Sequence, residues 1–238
     1  MNLALTLSGI NYSIAGLDVL KALDLEVGEQ QYYAIAGVNG AGKSTLIKLI
    51  LDLIRPQSGK IHIFDTDNRD HGCRDQIAYL PEKFDIKRNV KGHQYLEFIA
   101  AVYHQVVSHD RINALAERLD FPSERLDDRV GSYSKGMVQK LGLVSCFMLE
   151  RRLIILDEPL SGLDPKARYH FKELMRAERS SARTVLYSTH MLADAEDLCD
   201  QFGILHAGEM RYRGTPAECM QHFQTESLEQ AYMKCISS

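Results

Sequence analysis

A glycine-rich segment at residues 37–45 carries the clearest chemistry in this sequence. It fits the pattern GxxxxGK[ST] of a phosphate-binding loop. Glycines in such a loop let consecutive backbone N–H groups curl around an anion, and a helix beginning at Lys43 adds the positive end of its dipole. Lys43 can reach the β- and γ-phosphates of a nucleoside triphosphate, and the Ser44 hydroxyl can bind Mg²⁺. The candidate nucleotide-binding residues of the segment are Gly37, Asn39, Gly40, Ala41, Gly42, Lys43, Ser44 and Thr45.

Two carboxylates, Asp157 and Glu158, follow an apolar run at residues 153–156. Such a run is typical of a parallel strand buried on both faces, and ligands gather at the carboxyl ends of such strands. We expect Asp157 to hold Mg²⁺ through a water molecule and Glu158 to polarise the water that attacks the γ-phosphate. The loop and the acidic strand end together predict a nucleoside triphosphatase, without saying of which kind.

The elements that must position these residues predict an α/β fold, because short apolar runs alternate with segments of helical periodicity. The predicted strands are residues 3–7, 20–27, 32–36, 61–64, 77–80, 153–156, 184–188, 202–205 and 209–212. The predicted helices are residues 44–54, 90–107, 110–119, 135–149, 165–179, 191–199, 216–223 and 227–235. We expect one domain of 238 residues, in which residues 1–82 and 149–238 form the core and residues 83–148 form a mostly helical lobe.

Composition narrows the choice of partners. The net charge is −4 and the basic residues are scattered, so the sequence does not predict the basic face that nucleic-acid binding requires. The sequence predicts neither a signal peptide nor a stretch of about 20 apolar residues that would span a bilayer. The five cysteines lack CxxC or zinc-ligand spacing, which predicts reduced thiols. If the protein serves a membrane, another chain must supply the membrane part.

Five further motifs, in a fixed order, make the sequence resemble the ATP-binding subunit of an ABC transporter. They are Tyr12, upstream of the phosphate loop; Tyr-Leu-Pro-Glu at 79–82, in the place of the Q-loop; Tyr-Ser-Lys-Gly-Met at 133–137, in the place of the LSGGQ signature; Ser-Gly-Leu-Asp at 161–164, matching the D-loop; and Ser-Thr-His at 188–190, matching the switch histidine. The similarity covers roughly residues 3–235. It implies the ABC ATPase fold: a P-loop NTPase core of mixed, mainly parallel sheet, with an antiparallel β subdomain and the helical lobe.

The resemblance also implies roles for single residues. Tyr12 would stack on adenine, and His190 would hold the γ-phosphate and the attacking water. Ser134 and Gly136, at the start of the helix predicted from Lys135, would contact the γ-phosphate bound to a second ATPase subunit. Two copies of the chain would then enclose two ATP–Mg²⁺ molecules in a head-to-tail homodimer. The remaining implied site residues are Asp164 of the D-loop and Glu82, a further Mg²⁺ ligand.

Two motifs depart from the family pattern. Glu82 stands where glutamine is usual, so it adds negative charge beside two other carboxylates. The signature segment carries Lys135 and Met137. Both variants, and the closing segment Ser-Leu-Glu-Gln-Ala-Tyr at 227–232, resemble the branch that works with ABC-2-type permeases, often as exporters. The resemblance therefore predicts a cytoplasmic subunit on the inner face of the cell membrane, bound to an integral membrane permease, with Phe84 and Ile86 lining the groove for it.

Other functions remain open from the sequence. A soluble ABC-type ATPase that acts on nucleic acid or ribosomes usually carries long coiled-coil inserts or two ATPase cassettes, and this sequence shows neither. A small P-loop kinase would not need the signature, the D-loop or the switch histidine. A stable complex with an integral membrane protein would distinguish the transporter from both alternatives. The sequence leaves open the transported substrate, the direction of transport and whether the second ATPase subunit is another copy of this chain.

Overall fold

The strands of the protein form two sheets, seen in a computed structural model that describes residues 2–237. The first sheet is antiparallel, with strand order β2-β1-β4-β5. Its strands are β1 (Leu3–Ile14), β2 (Leu17–Gly28), β4 (Ser58–Ile63) and β5 (Thr66–Asp67). The second sheet has the order β10-β9-β3-β8-β7-β6. Its strands are β3 (Tyr32–Ala36), β6 (Ile77–Leu80), β7 (Leu153–Leu156), β8 (Thr184–Thr189), β9 (Gln201–His206) and β10 (Glu209–Gly214). All pairs of the second sheet are parallel except β9–β10.

Helices follow several of the strands along the chain, and a group of them separates β6 from β7. They are α1 (Lys43–Ile50), α2 (His71–Arg74), α3 (Gly92–Val102), α4 (His109–Arg118), α5 (Lys135–Phe147), α6 (Pro165–Glu178), α7 (Leu192–Leu198), α8 (Pro216–Phe223) and α9 (Leu228–Ser237). Short 3-10 turns lie at Ser123–Asp127, Val130–Ser132 and Arg179–Ser181. Helices and turns thus replace strands between β6 and β7, where the sequence predicts the helical lobe; the exact division at 83 and 148 stays a prediction.

Two hydrophobic cores lie on opposite faces of the parallel sheet, because side chains alternate along each strand. On β3, Tyr32 and Ala34 join the core under the helical lobe, whereas Tyr33 and Ile35 join the core shared with α1 and the antiparallel sheet. The strands β3, β7 and β8 are buried along their whole length. This explains the continuous apolar sequences of β3 and β7, whereas β8 also buries the polar residues Thr184, Ser188 and Thr189.

Several element boundaries differ from those predicted. β1 runs to Ile14 instead of residue 7, because bulges in its pairing with β2 accommodate the polar residues of the segment. α1 ends at Ile50 instead of residue 54, since Asp52 has a left-handed φ of 51°. α3 occupies only Gly92–Val102 of the predicted 90–107, and His104 with φ 51° turns the chain away. The short elements β5 and α2 were not predicted.

The cysteines agree with the prediction. All five are free thiols. Cys73, Cys146, Cys219 and Cys235 are buried, and Cys199 is half-buried. Burial raises the pKa of the Cys146 and Cys199 thiols to about 12, so they stay protonated and unreactive at neutral pH.

Candidate active site

A cleft of about 290 Å³ opens where the parallel strands β3, β6, β7 and β8 end. The phosphate loop follows β3, Glu82 follows β6, Glu158 follows β7 and His190 follows β8. Of the residues proposed from the sequence, the cleft is lined by Asn39, Gly40, Gly42, Lys43, Ser44, Thr45, Glu82, Glu158 and His190. Residues far apart in the sequence therefore meet at one edge of the sheet, as ligand sites in such folds do.

The backbone of the loop requires glycine at several positions. Gly40 and Gly42 have φ of 84° and 110°, which side chains with a Cβ rarely adopt. At Gly37, a Cβ would lie 2.4 Å from the Leu205 carbonyl oxygen. Gly37 N–H donates to the Thr189 carbonyl at 3.2 Å, which ties the start of the loop to the strand that precedes His190. Gly37 and Ala41 are buried behind the cleft.

Lys43 is the cation at the floor of the cleft and is only 5% exposed. Its Nζ donates to the Gly37 carbonyl at 2.7 Å and to the Val38 carbonyl at 3.3 Å, both within the loop itself. It also lies 3.0 Å from Oε1 of Glu158. A buried ammonium group that is held in place by these acceptors is already oriented to bind anionic oxygen atoms.

Glu158 joins Lys43 to His190. Its Oε2 lies 2.7 Å from Nδ1 of His190, whose side chain is 45% exposed toward the cleft. The residue has a left-handed φ of 50°, unusual for a glutamate, and its N–H donates to Oγ of Ser188 at 2.8 Å. This bond helps to hold the strained turn after β7. A carboxylate that faces both a buried ammonium group and an imidazole can polarise a water molecule.

Asp157 lies behind Glu158 and is buried. Ser188 donates to Oδ1 of Asp157 at 2.5 Å, and the Asp157 N–H donates to the Leu80 carbonyl at 2.8 Å. Burial raises the pKa of this carboxyl, whereas the hydroxyls of Ser188 and Ser44 oppose the rise by bonding to the charged form. A buried carboxylate next to Ser44 is an oxygen-donor pair of the kind that Mg²⁺ prefers.

The remaining proposed residues lie outside this cleft. Ser134 caps α5, its Oγ accepting from Met137 N–H at 3.2 Å. A Cβ on Gly136 would lie 3.7 Å from the Gly162 carbonyl, so the signature and D-loop segments touch within one chain. Asp164 caps α6 by accepting from Ala167 N–H at 2.8 Å. Tyr12 is half-buried on β1 against the core that α1 shares with the antiparallel sheet. Its proposed stacking on adenine stays a prediction.

Sequence reasoning did not assign Val19, Ser161 or Ser188 to the site. Val19 and Ser161 line the cleft, and Ser188 is fully buried beneath it. Ser161 and Ser188 stood in recognised motifs, so a prediction from motif position could have included them. Val19 reaches the cleft only because β2 of the antiparallel sheet passes beside Gly42, where a Cβ would lie 3.2 Å from the Val19 carbonyl.

We expect Ser188→Ala to lower the free energy of unfolding by about 2 kcal/mol, because it removes a hydrogen bond to a buried carboxylate and the acceptor for Glu158 N–H. Urea denaturation measures this change. Ser132→Ala is the control, since the exposed Ser132 hydroxyl donates to the Arg129 carbonyl three residues earlier in the chain, and its loss should cost less than about 1 kcal/mol. Equal losses in the two variants would show that Ser188 does not support the acidic turn.

No helix within residues 2–237 is both long and apolar enough to cross a bilayer.

Comparison with known proteins agrees with this geometry. The sequence model of the ABC transporter family matches residues 20–161. The ABC-type transporter ATP-binding protein EcsA of Bacillus subtilis is 35% identical over 91% of this chain and 90% of its own length. The daunorubicin resistance ATP-binding protein DrrA3 of Streptomyces coeruleorubidus is 31% identical over 90% of this chain and 69% of its own. A solved ATP-binding subunit of an ABC transporter superposes with a TM-score of 0.90 at 33% identity, over 98% of this chain and 99% of that one.

Some relatives are longer. The chain spans 61% and 58% of two uncharacterized ABC transporter ATP-binding proteins, from Nostoc and Synechocystis, to which it is 33% and 30% identical. The matched segment nevertheless contains the phosphate loop, the acidic turn after β7 and the signature helix. The geometry of the cleft and these similarities lead to the same conclusion: the chain belongs to the ABC transporter family of ATP-binding proteins.

Proposed function

We propose that this chain binds ATP with Mg²⁺ and hydrolyses it, and that this drives export through a separate membrane permease. The observation that carries the proposal is the contact chain from Lys43 through Glu158 to His190 at the floor of the phosphate cleft. Lys43 would bind the β- and γ-phosphates, Glu158 would act as general base on the attacking water, and His190 would orient that water and the γ-phosphate.

The Mg²⁺ ion would bind between the protein and the phosphates of ATP. Its candidate protein ligands are Ser44, Asp157 and Glu82, which all offer oxygen atoms. Within residues 2–237, no group of three or more His, Cys, Asp or Glu side chains is arranged to hold a metal. Mg²⁺ usually takes only one or two carboxylates from a protein, and here it would neutralise charge on the phosphates during hydrolysis.

A second copy of the chain would close the site. Ser134 and Gly136 stand at the N-terminus of α5, where backbone N–H groups and the helix dipole favour an anion. Neither residue lines the cleft of its own chain, which supports a role toward the γ-phosphate bound by a partner copy. Asp164 would act from the D-loop that touches Gly136. A two-fold homodimer satisfies both sites at once, because each copy gives the surface that it needs from the other.

A groove in the helical lobe would bind the permease. Its volume is about 350 Å³, and its walls are formed by Phe84, Ile86, Val130, Tyr133 and Val138, with Asp85 and Arg88 among them. Apolar walls with one acid and one base suit a short amphipathic helix. The resemblance of residues 79–82 and 133–137 to the ABC-2 branch, and the drug-resistance name of one relative, support an ABC-2-type exporter on the inner face of the cell membrane.

Co-purification from detergent-extracted membranes of the native host tests this function. We expect the tagged chain to bring down an integral membrane protein, and Ile86→Glu to reduce that recovery at least about tenfold, because a charge would be desolvated in the apolar groove. Leu53→Glu is the control, since Leu53 is 61% exposed and lies after α1, outside the groove. Recovery of the chain without any membrane protein, or full recovery by the Ile86 variant, would contradict the permease assignment.

A further inference from the structure

The last helix of the chain reaches the phosphate loop. α9 packs against α7, α8 and β10, and Leu228, Ala231, Tyr232 and Cys235 bury its inner face. Tyr232 is 6% exposed, and its hydroxyl accepts a hydrogen bond from Val38 N–H at 3.3 Å. This bond joins residues that are 194 positions apart in the sequence. It is a direct contact between α9 and the segment that would hold the phosphates.

The Val38 carbonyl accepts two hydrogen bonds from other residues of that loop. One comes from Lys43 Nζ at 3.3 Å and the other from Ala41 N–H at 3.2 Å. The orientation of Val38 therefore sets where the lysine and the first turn of the loop find their acceptor. The Val38 side chain is 48% exposed, so packing does little to fix the residue. Its N–H bond to Tyr232 supplies a constraint from outside the loop.

We propose that Tyr232 is a positioning residue for the phosphate loop: its hydroxyl holds Val38 so that the loop is in its binding geometry before the nucleotide arrives. This inference rests on the proposed binding of ATP by the loop. Tyr232 does not line the cleft and acts through Val38. A binding loop that is already ordered loses less conformational entropy when its ligand binds, which raises affinity without new contacts to the ligand.

The proposal predicts a particular pattern of effects. ADP and ATP should lose affinity equally in Tyr232→Phe, because the loop cradles phosphates that both nucleotides carry. In ATP hydrolysis the KM should rise while kcat at saturating ATP stays within about twofold, which is the pattern of a lost uniform binding interaction. A tyrosine that only packs α9 against the core would give neither effect, since phenylalanine keeps the ring.

Isothermal titration of the nucleotide-free chain with ADP and Mg²⁺ tests the proposal. We expect Tyr232→Phe to weaken ADP binding about 3- to 10-fold, the range for one neutral hydrogen bond. Tyr212→Phe is the matched control, because Tyr212 lies on β10 beside α9 with its ring against Phe202 and Phe223. Its ADP affinity should stay within about 1.5-fold of the unchanged protein. Thermal melts without nucleotide establish that both variants are folded at the temperature of the titration.

The possible results of the titration distinguish a failure of the positioning role from a failure of the proposed function. Equal ADP affinity in the unchanged chain and in Tyr232→Phe would overturn the positioning role while leaving the proposed function intact. Equal losses in Tyr232→Phe and Tyr212→Phe would also overturn it, because the effect would then be general to this face. If the unchanged chain failed to bind ADP or ATP, the proposed function itself would be wrong.

Discussion

Replacing Glu158 by glutamine is expected to slow ATP hydrolysis by about 10²- to 10⁴-fold while ATP binding is retained. Glutamine has nearly the same shape as glutamate, but its amide cannot accept the proton of the attacking water. Glu158 faces Lys43 at 3.0 Å and His190 at 2.7 Å. Neutralising Glu158 removes a negative charge that competes with phosphate for Lys43, so ATP affinity should stay equal or rise.

The same variant should accumulate as a dimer. If ATP closes two copies and its hydrolysis reopens them, blocking hydrolysis leaves the closed form populated. Size-exclusion chromatography with ATP and Mg²⁺ should then show a species of twice the 26.9 kDa chain mass, and ADP should not produce it. A phosphate-release assay measures the rate.

The control for this variant is Glu29→Gln. Glu29 lies 3.1 Å from Arg152 in a largely exposed ion pair outside the cleft, so hydrolysis should be unchanged. Unchanged turnover in Glu158→Gln would remove Glu158 from the role of general base. A monomer that hydrolyses slowly and never dimerises would leave the base in place but contradict the closure of the site by a second copy.

The chemistry of the loop could be predicted from sequence because it depends on local residue types. Gly40 and Gly42 are needed for their positive φ angles, and Lys43 and Ser44 for their side-chain chemistry, so a short pattern specifies the loop almost completely. The fully buried strand at 153–156 was equally predictable, since burial on both faces demands a continuous apolar run. These features place both the phosphate loop and Glu158 without knowledge of the tertiary contacts.

Long-range contacts could not be predicted in the same way. The bond from Ser188 to Asp157 joins positions 31 apart, and the Tyr232 bond to Val38 spans nearly the whole chain. A serine in a buried strand or a tyrosine in a terminal helix carries no local signal of such a partner. The strand β1 was underestimated for a related reason: its second half is mostly polar, and its extended form depends on pairing with β2 and β4 as well as on burial of Ile10.

Replacing Lys43 by alanine is expected to weaken ATP binding by at least about 100-fold, because a buried charge that pairs with phosphate is lost. The damage would extend beyond that one contact. Lys43 also donates to the carbonyls of Gly37 and Val38, so the variant would lose the two hydrogen bonds that join the end of the loop to its beginning. Titration with a fluorescent ATP analogue measures the affinity, and Lys48→Ala, an exposed lysine on the same helix, is the control that should bind normally.

The charge balance of the cleft explains why this loss should exceed that of an ordinary phosphate contact. Glu82 and Glu158 line the cleft, and Asp157 lies directly behind it. Without Lys43, these carboxylates would face the phosphates of ATP with one buried cation fewer, and repulsion would add to the lost attraction. Tight ATP binding by Lys43→Ala would contradict both arguments. Lys43→Ala should therefore weaken binding, whereas Glu158→Gln should slow turnover and leave binding intact, so the two variants separate the two steps that the site is proposed to perform.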